Sequence, residues 1–172
     1  VGLPLAIEFS KSKKCLRSGK KIKRKITAFD IDQKRINELN NGFDRTQEFT
    51  NETLLKAKNL KFTSEIKEIY TADVFIITVP TPINKFNKPD LEFIKKASSD
   101  VGNALKNRKE YVKRDTIMPV IIYESTVYPG ATEEICIPLI ESKSGQKLNK
   151  DFCCGYSPER INPGDKNRKI TS

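Results

Sequence analysis

The 172-residue sequence contains no histidine. That absence excludes imidazole acid–base catalysis, Ser-His-Asp triads and histidine-ligated metals within this chain. Long hydrophobic runs are missing too. The apolar stretches, such as residues 120–123, fall far short of the roughly 20 residues that cross a bilayer. The opening Val1-Gly2-Leu3-Pro4 has no charged leader and only a short apolar run, so no signal peptide is expected. The chain does not begin with Met, its one Met being Met118, and it is therefore read as a fragment. Cysteine is sparse and unpatterned: Cys15, Cys136, Cys153 and Cys154 form no CxxC, and a zinc site without histidine would need all four. No metal site is expected. The thiols read as structural, and reduced thiols suit a cytoplasmic chain.

What is present is an ordinary soluble composition, 37% hydrophobic and 31% charged, at a length that suits one domain or most of one. The net charge of +10 looks at first like a nucleic-acid signal. Nine of the Lys and Arg residues, however, crowd between Lys11 and Lys25 without one Asp or Glu, and setting them aside leaves +1. The charge is a local feature. A solvated loop and an anion-binding patch both fit such a run, and the lack of interleaved aromatics argues against single-strand binding.

The rest of the chain alternates apolar runs with helical patterns. Strands are expected over residues 26–31, 60–63, 73–79, 120–125 and 152–157. Helices are expected over residues 3–9, 32–39 with Gly42 as a stop, 64–70, from Asp90 through Leu105, and 131–140 with an interruption at Pro138. Nearly continuous apolar strands alternating with helices imply an α/β fold, a doubly wound and mostly parallel sheet of Rossmann type. Right-handed crossovers place the strand C-termini on one edge, where such folds bind ligands. The polar segments on that edge are Asp30, Val79-Pro80-Thr81-Pro82, Glu124-Ser125-Thr126 and Ser157-Pro158-Glu159-Arg160.

Each segment admits two readings. An acid at the position of Asp30 accepts hydrogen bonds from the adenosine ribose of a dinucleotide and repels a 2′-phosphate, favouring NAD over NADP; it also suits a helix cap. Arg35 can stack on adenine, pair with Asp30, or stand as a solvated helix charge. Gly2 precedes a helical pattern, as does the last glycine of a G-x-G-x-x-G fingerprint, but one glycine has little specificity. Ser125 and Thr126 can hold phosphate, the nicotinamide amide or a water, or serve as caps. Glu159 can act as a base and Arg160 can bind an anion, or the two can form a structural ion pair.

Six segments in register, VGLPLA, FDIDQKRI, NGFDRT, ADVFIITVPTP, YESTVYPGATEE and CGYSPERINPGDK, resemble the UDP-glucose/GDP-mannose dehydrogenase family, and most of all its UDP-N-acetylhexosamine branch. The resemblance implies NAD-dependent oxidation of the C6 alcohol of a UDP-N-acetylhexosamine to a carboxylate in two hydride transfers, for surface polysaccharide. By position, Gly2 resembles the last fingerprint glycine, and Asp30 and Arg35 resemble the adenosine-ribose contacts. Val79, Pro80, Thr81 and Pro82 resemble the loop beside the cofactor. Ser125 and Thr126 resemble the pair at the nicotinamide end, with Thr126 also positioning a catalytic water. Glu159 resembles the active-site carboxylate that works with that water on a thioester, and Arg160, Ile161 and Asn162 fall in the substrate loop.

The resemblance also implies departures and missing parts. A second carboxylate of UDP-glucose-using relatives is replaced by Pro163, which favours the N-acetylhexosamine branch. The family's catalytic Cys, Lys and Asn lie beyond residue 172. Residues 1–172 are thus expected to be part of an NAD-binding domain, without its first strand, first two glycines, central helix and UDP-sugar domain. Such a piece is expected to be poorly stable and inactive alone. The expected partners are a UDP-sugar and further copies of the full-length protein, with no nucleic acid and no membrane. A basic nucleic-acid-binding module and a β-hydroxyacid-type Rossmann dehydrogenase are the competing readings.

Overall fold

The computed structural model describes residues 1–12, 14–15, 17–83, 85, 87–112 and 117–157. They form two compact units, one comprising Val1–Glu68 and the other beginning at Ile69.

The first unit opens with helix α1 (Gly2–Lys11), whose Ile7 is fully buried. The basic run that follows is not an open loop. Lys14 and Lys21 face each other in an antiparallel bridge, and Gly19 N–H donates to the Cys15 carbonyl at 2.8 Å. Gly19 turns this hairpin with φ +66°, a conformation that a side chain disfavours. Strand β1 (Ile26–Phe29) then pairs in parallel with β2 (Leu60–Thr63), Ile26 opposite Leu60 and Phe29 opposite Thr63. Between them run helix α2 (Gln33–Asn40) and the short α3 (Asn51–Lys56), which packs Leu54 inward. The core is Ile7, Ile36, Leu39, Leu54 and Phe62, from α1, α2, α3 and β2, with the partly buried Ala28 of β1 packed against it.

The second unit holds a parallel three-stranded sheet in the order β3 (Val74–Ile77), β4 (Val120–Tyr123), β5 (Cys153–Tyr156). Helix α4 (Glu92–Tyr111) crosses from β3 to β4 and buries Ile94, Val101, Ala104 and Leu105, close to the periodicity expected. Its Arg108 reaches back to the start of β3, donating to Asp73 at 2.5 Å and to the Ala72 carbonyl at 2.8 Å. Ser98 hydrogen-bonds the buried Tyr123 hydroxyl at 2.7 Å, tying α4 to the middle strand. Helix α5 (Ile137–Ser144) packs so closely on α4 that a Cβ at Gly102 would lie 2.7 Å from Lys143 Cβ.

Pro138 does not end its helix. A wide π turn over Thr132–Cys136 precedes it, and the helix continues to Ser144, stopped by Gly145 at φ +70°. A proline in a regular α-helix clashes with the carbonyl four residues back, and a local widening relieves that clash. All five expected strands are present, the one over residues 60–63 in full and the other four trimmed at one or both ends. The helix expected over residues 64–70 is a single 3₁₀ turn, Ile66–Ile69.

All four cysteines are free thiols. Burial pushes the thiol of Cys136 up, and that of Cys154 up to about 11, so both are inert neutral groups at physiological pH. Among the described residues, no group of acids and thiols is arranged to hold a metal, and no helix is long and apolar enough to cross a membrane.

Candidate cofactor site

In the first unit, β1 ends at Phe29 and delivers Asp30 just past its C-terminus. The Asp30 N–H still donates to the Thr63 carbonyl at 3.1 Å, so the ladder fixes this residue although the strand has ended. Its Oδ1 accepts the Asp32 N–H at 2.9 Å. Asp32 in turn caps α2, accepting from the N–H groups of Lys34 and Arg35 at 2.9 and 3.1 Å. These backbone hydrogen bonds, with the Arg45 charge adding to them, hold the Asp32 carboxyl below its usual range. A chain of hydrogen bonds therefore runs from the strand tip, through the cap, into the first turn of α2. Asp30 is exposed at the head of that chain, where an acceptor for sugar hydroxyls is expected.

Arg35 does not pair with Asp30. Its Nη2 donates to Asp44 Oδ1 at 2.6 Å, and its Nη1 stands 3.8 Å from Glu38 Oε2, buried and without a hydrogen-bond partner. Arg45 completes the network, donating to Glu38 at 2.6 Å and to Asp32 at 3.2 Å. Asp44, its side chain wholly buried, is the anchor. Burial by itself would raise its pKa. Hydrogen bonds from Thr46, from Arg35 and from the backbone N–H groups of Thr46 and Phe49 outweigh that, holding the carboxyl down at about 2.

In the second unit the structure brings together the two segments expected beside the cofactor. Ser125, just past β4, is 3% exposed, and its hydroxyl donates to the Val79 carbonyl at 2.8 Å. The Thr81 hydroxyl donates to the Thr126 carbonyl. Val79, Thr81, Ser125 and Thr126 thus form one hydrogen-bonded cluster past the C-termini of neighbouring strands. The Ser125 hydroxyl is consumed in holding it, while the side chain of Thr126 is exposed. Pro80 and Pro82 stiffen the loop, which closes through Asp90 N–H to the Pro82 carbonyl at 2.7 Å. Beyond Thr126 lies a cavity of about 330 Å³ lined by Val127, Tyr128, Pro129, Gly130, Thr132, Glu133 and Tyr156. Gly130 is required there: its φ is +92°, and a Cβ would meet the Glu134 carboxylate at 2.9 Å.

Gly2 starts α1. Glu159, Arg160, Ile161 and Asn162 lie outside the described residues, as does Pro163. The basic hairpin leads into the N-terminal end of β1. Four residues of strand, about 13 Å, separate that end from Asp30. The residue missed in the sequence is Asp44. Its signal is the Asp-x-Thr pair after a glycine, a pattern in which the carboxylate folds back on following N–H groups.

Parallel strands alternating with helices have the form of a Rossmann-type α/β fold, and similarity to known proteins makes the class specific. Residues 1–171 match the model of the UDP-glucose/GDP-mannose dehydrogenase family, NAD binding domain. The chain is 49% identical over 172 residues to UDP-N-acetyl-D-glucosamine 6-dehydrogenase of Salmonella typhi, covering all of this chain and 36% of that protein. It is 49% identical over 166 residues to Protein CapL of Staphylococcus aureus, covering 96% of this chain and 34% of that one. Among solved structures it resembles a ternary complex of GDP-mannose dehydrogenase from Pseudomonas aeruginosa, with a TM-score of 0.77 at 26% identity over 94% of this chain and 34% of that one. UDP-D-ManNAc dehydrogenase from Pyrococcus horikoshii aligns with a TM-score of 0.76 at 27% identity, covering 95% and 35%. The chain belongs to the UDP-glucose/GDP-mannose dehydrogenase family, in its NAD-binding domain. It spans about a third of the length of the curated relatives it matches.

Proposed function

We propose that this chain supplies the cofactor-binding part of a UDP-N-acetylhexosamine 6-dehydrogenase, which oxidises the sugar's C6 alcohol to a carboxylate for surface polysaccharide. The observation that carries this reading is the 49% identity across the whole chain to a UDP-N-acetyl-D-glucosamine 6-dehydrogenase. The residues fit a bound dinucleotide. Asp30 offers a carboxylate to ribose hydroxyls, and Arg35 offers a buried N–H still lacking an acceptor. The Val79–Pro82 loop and the Ser125–Thr126 turn form a rigid wall, and Gly2 opens the helix whose N-terminus suits a pyrophosphate. NAD, when bound, supplies the acceptor for the hydride that leaves the sugar carbon. Glu159 and Thr126 are assigned to the water that releases the acid, and Arg160, Ile161 and Asn162 to the sugar nucleotide. The free thiols favour a reducing cytoplasm.

The test is a turnover assay of the enzyme carrying this sequence with a panel of nucleotide sugars. UDP-N-acetylglucosamine or UDP-N-acetylgalactosamine should yield two NADH per sugar oxidised. Turnover confined to UDP-glucose or GDP-mannose would contradict the branch assignment, and no turnover with any nucleotide sugar would contradict the reaction.

A further inference from the structure

The tip of β1 carries contradictory instructions by the usual rule for dinucleotide folds. An acid at the strand end selects the free 2′-hydroxyl of NAD, whereas a nearby arginine accommodates the 2′-phosphate of NADP. This chain has both, Asp30 and Arg35. The geometry shows how the conflict is resolved. Arg35 sits in the first turn of α2, its N–H held by the cap Asp32, which is held by Asp30. Its guanidinium is taken by Asp44 through Nη2 at 2.6 Å, and both side chains are withdrawn from solvent, at 13% and 0% exposure.

Asp44 is built for that task. Oδ1 also accepts from Thr46 N–H and Thr46 Oγ1 at 3.1 and 2.7 Å, and Oδ2 accepts from the N–H groups of Glu48 and Phe49 at 3.0 and 3.1 Å. The loop after α2 thus wraps around one carboxylate and returns it to the helix. Gly42 lets the loop start, since its φ is +76° and a Cβ would collide with the Asn51 amide at 2.3 Å. The pairing neutralises the charge of Arg35 but leaves Nη1 without a hydrogen-bond partner. What remains is a fixed donor suited to a neutral hydroxyl or ring nitrogen, with no surplus charge for a phosphate dianion.

We propose that Asp44 is the positioning residue that sets cofactor choice, occupying Arg35 so that the site takes an adenosine ribose with a free 2′-hydroxyl and refuses a 2′-phosphate. This rests on the reading above that NAD binds at the tip of β1. It extends that reading to a residue that never touches the cofactor.

The test measures dissociation constants for NAD and NADP by titration calorimetry on the enzyme carrying this chain. Wild type is compared with Asp44→Asn, Arg35→Met and the double variant. Asp44→Asn should raise the affinity for NADP relative to NAD by about 10-fold or more, the scale of one charge-assisted hydrogen bond. In the Arg35→Met background the same substitution should leave that ratio unchanged. Arg35→Met alone, which does not depend on the Asn variant folding, should weaken NAD by about 10-fold. Equal weakening of both cofactors by Asp44→Asn would overturn the proposal, as would a shift in ratio that persists without Arg35, or NAD affinity indifferent to Arg35→Met. Wild type that binds neither dinucleotide would overturn the dehydrogenase reading itself, and this proposal with it.

Discussion

The two units, each taken by itself, build their candidate segments from opposite materials. The first uses charge: Asp30, Asp32, Arg35, Glu38, Asp44 and Arg45 lie within one network of hydrogen bonds and ion pairs. The second uses neutral groups, with the hydroxyls of Ser125 and Thr81 donating to carbonyls of the facing segment. The difference suits what each half is proposed to meet. A ribose edge and a phosphorylated competitor are told apart by charge, which acts with a sign. A loop that flanks a cofactor needs shape, and neutral hydrogen bonds between backbone and hydroxyl give shape without a field. It also predicts different fragility, because a buried charge that loses its partner costs far more than a buried carbonyl that loses a hydroxyl.

The largest effect should come from breaking the charged half at its anchor. Asp44→Ala strands Arg35 and four donors of its own loop, and should destabilise the first unit by about 3–5 kcal/mol. Hydrogen exchange should show the loss over residues 26–63 and spare residues 120–156. Asp44 also gives the charged half an acid limb. Its carboxyl lies at about 2 in the fold against an ordinary value of 3.8. A depressed folded pKa contributes stability that is present above the ordinary value and is lost as pH falls through the folded one, here about 2 kcal/mol. Denaturation midpoints should drop between about pH 4 and pH 2, and this component should vanish in Asp44→Asn.

Ser125→Ala probes the neutral half and should cost less, about 1–2 kcal/mol, by leaving the Val79 carbonyl short of its donor. Chemical denaturation of the second unit checks this, and a loss as large as that of Asp44→Ala would erase the contrast between the halves. Smallest of all should be the effect of Lys20→Gln, Lys21→Gln and Lys23→Gln together. Lys20 and Lys21 sit on the hairpin and Lys23 between it and the start of β1, the end of the strand away from Asp30, so NAD affinity in calorimetry should change by less than about 2-fold.

The legible part of this molecule was whatever acts locally. Residues 74–77 and 120–123 are β-branched or aromatic throughout, the composition that favours strands, and they bury Phe75, Ile77, Ile121 and Tyr123. Asp30 could be placed at a strand tip because a strand's end follows from its own residues. Helix α3 escaped notice because Leu54 is the one side chain it buries, too little for a period to show. The helix over residues 131–140 reads as interrupted at Pro138 because the rule for proline assumes a regular helix, whereas the π turn before it supplies the room. The basic run reads as a solvated loop or an anion-binding patch, because its hairpin rests on backbone bonds that side-chain chemistry does not announce beyond Gly19. Asp44 was the most consequential omission. Its partner Arg35 lies nine residues earlier across a helix end, a separation that obeys neither helical nor strand periodicity.

The proposed cofactor site rests on Asp30, the acid past β1, gripping the sugar of an adenine dinucleotide. Calorimetric titration of NAD into the enzyme carrying this chain, with wild type compared against Asp30→Ala, tests it most directly. Loss of one carboxylate accepting ribose hydroxyls should weaken NAD by about 10-fold or more, at a cost to the fold of only about 1 kcal/mol from the lost hydrogen bond to the Asp32 N–H. NAD that binds equally well to both proteins would contradict the account.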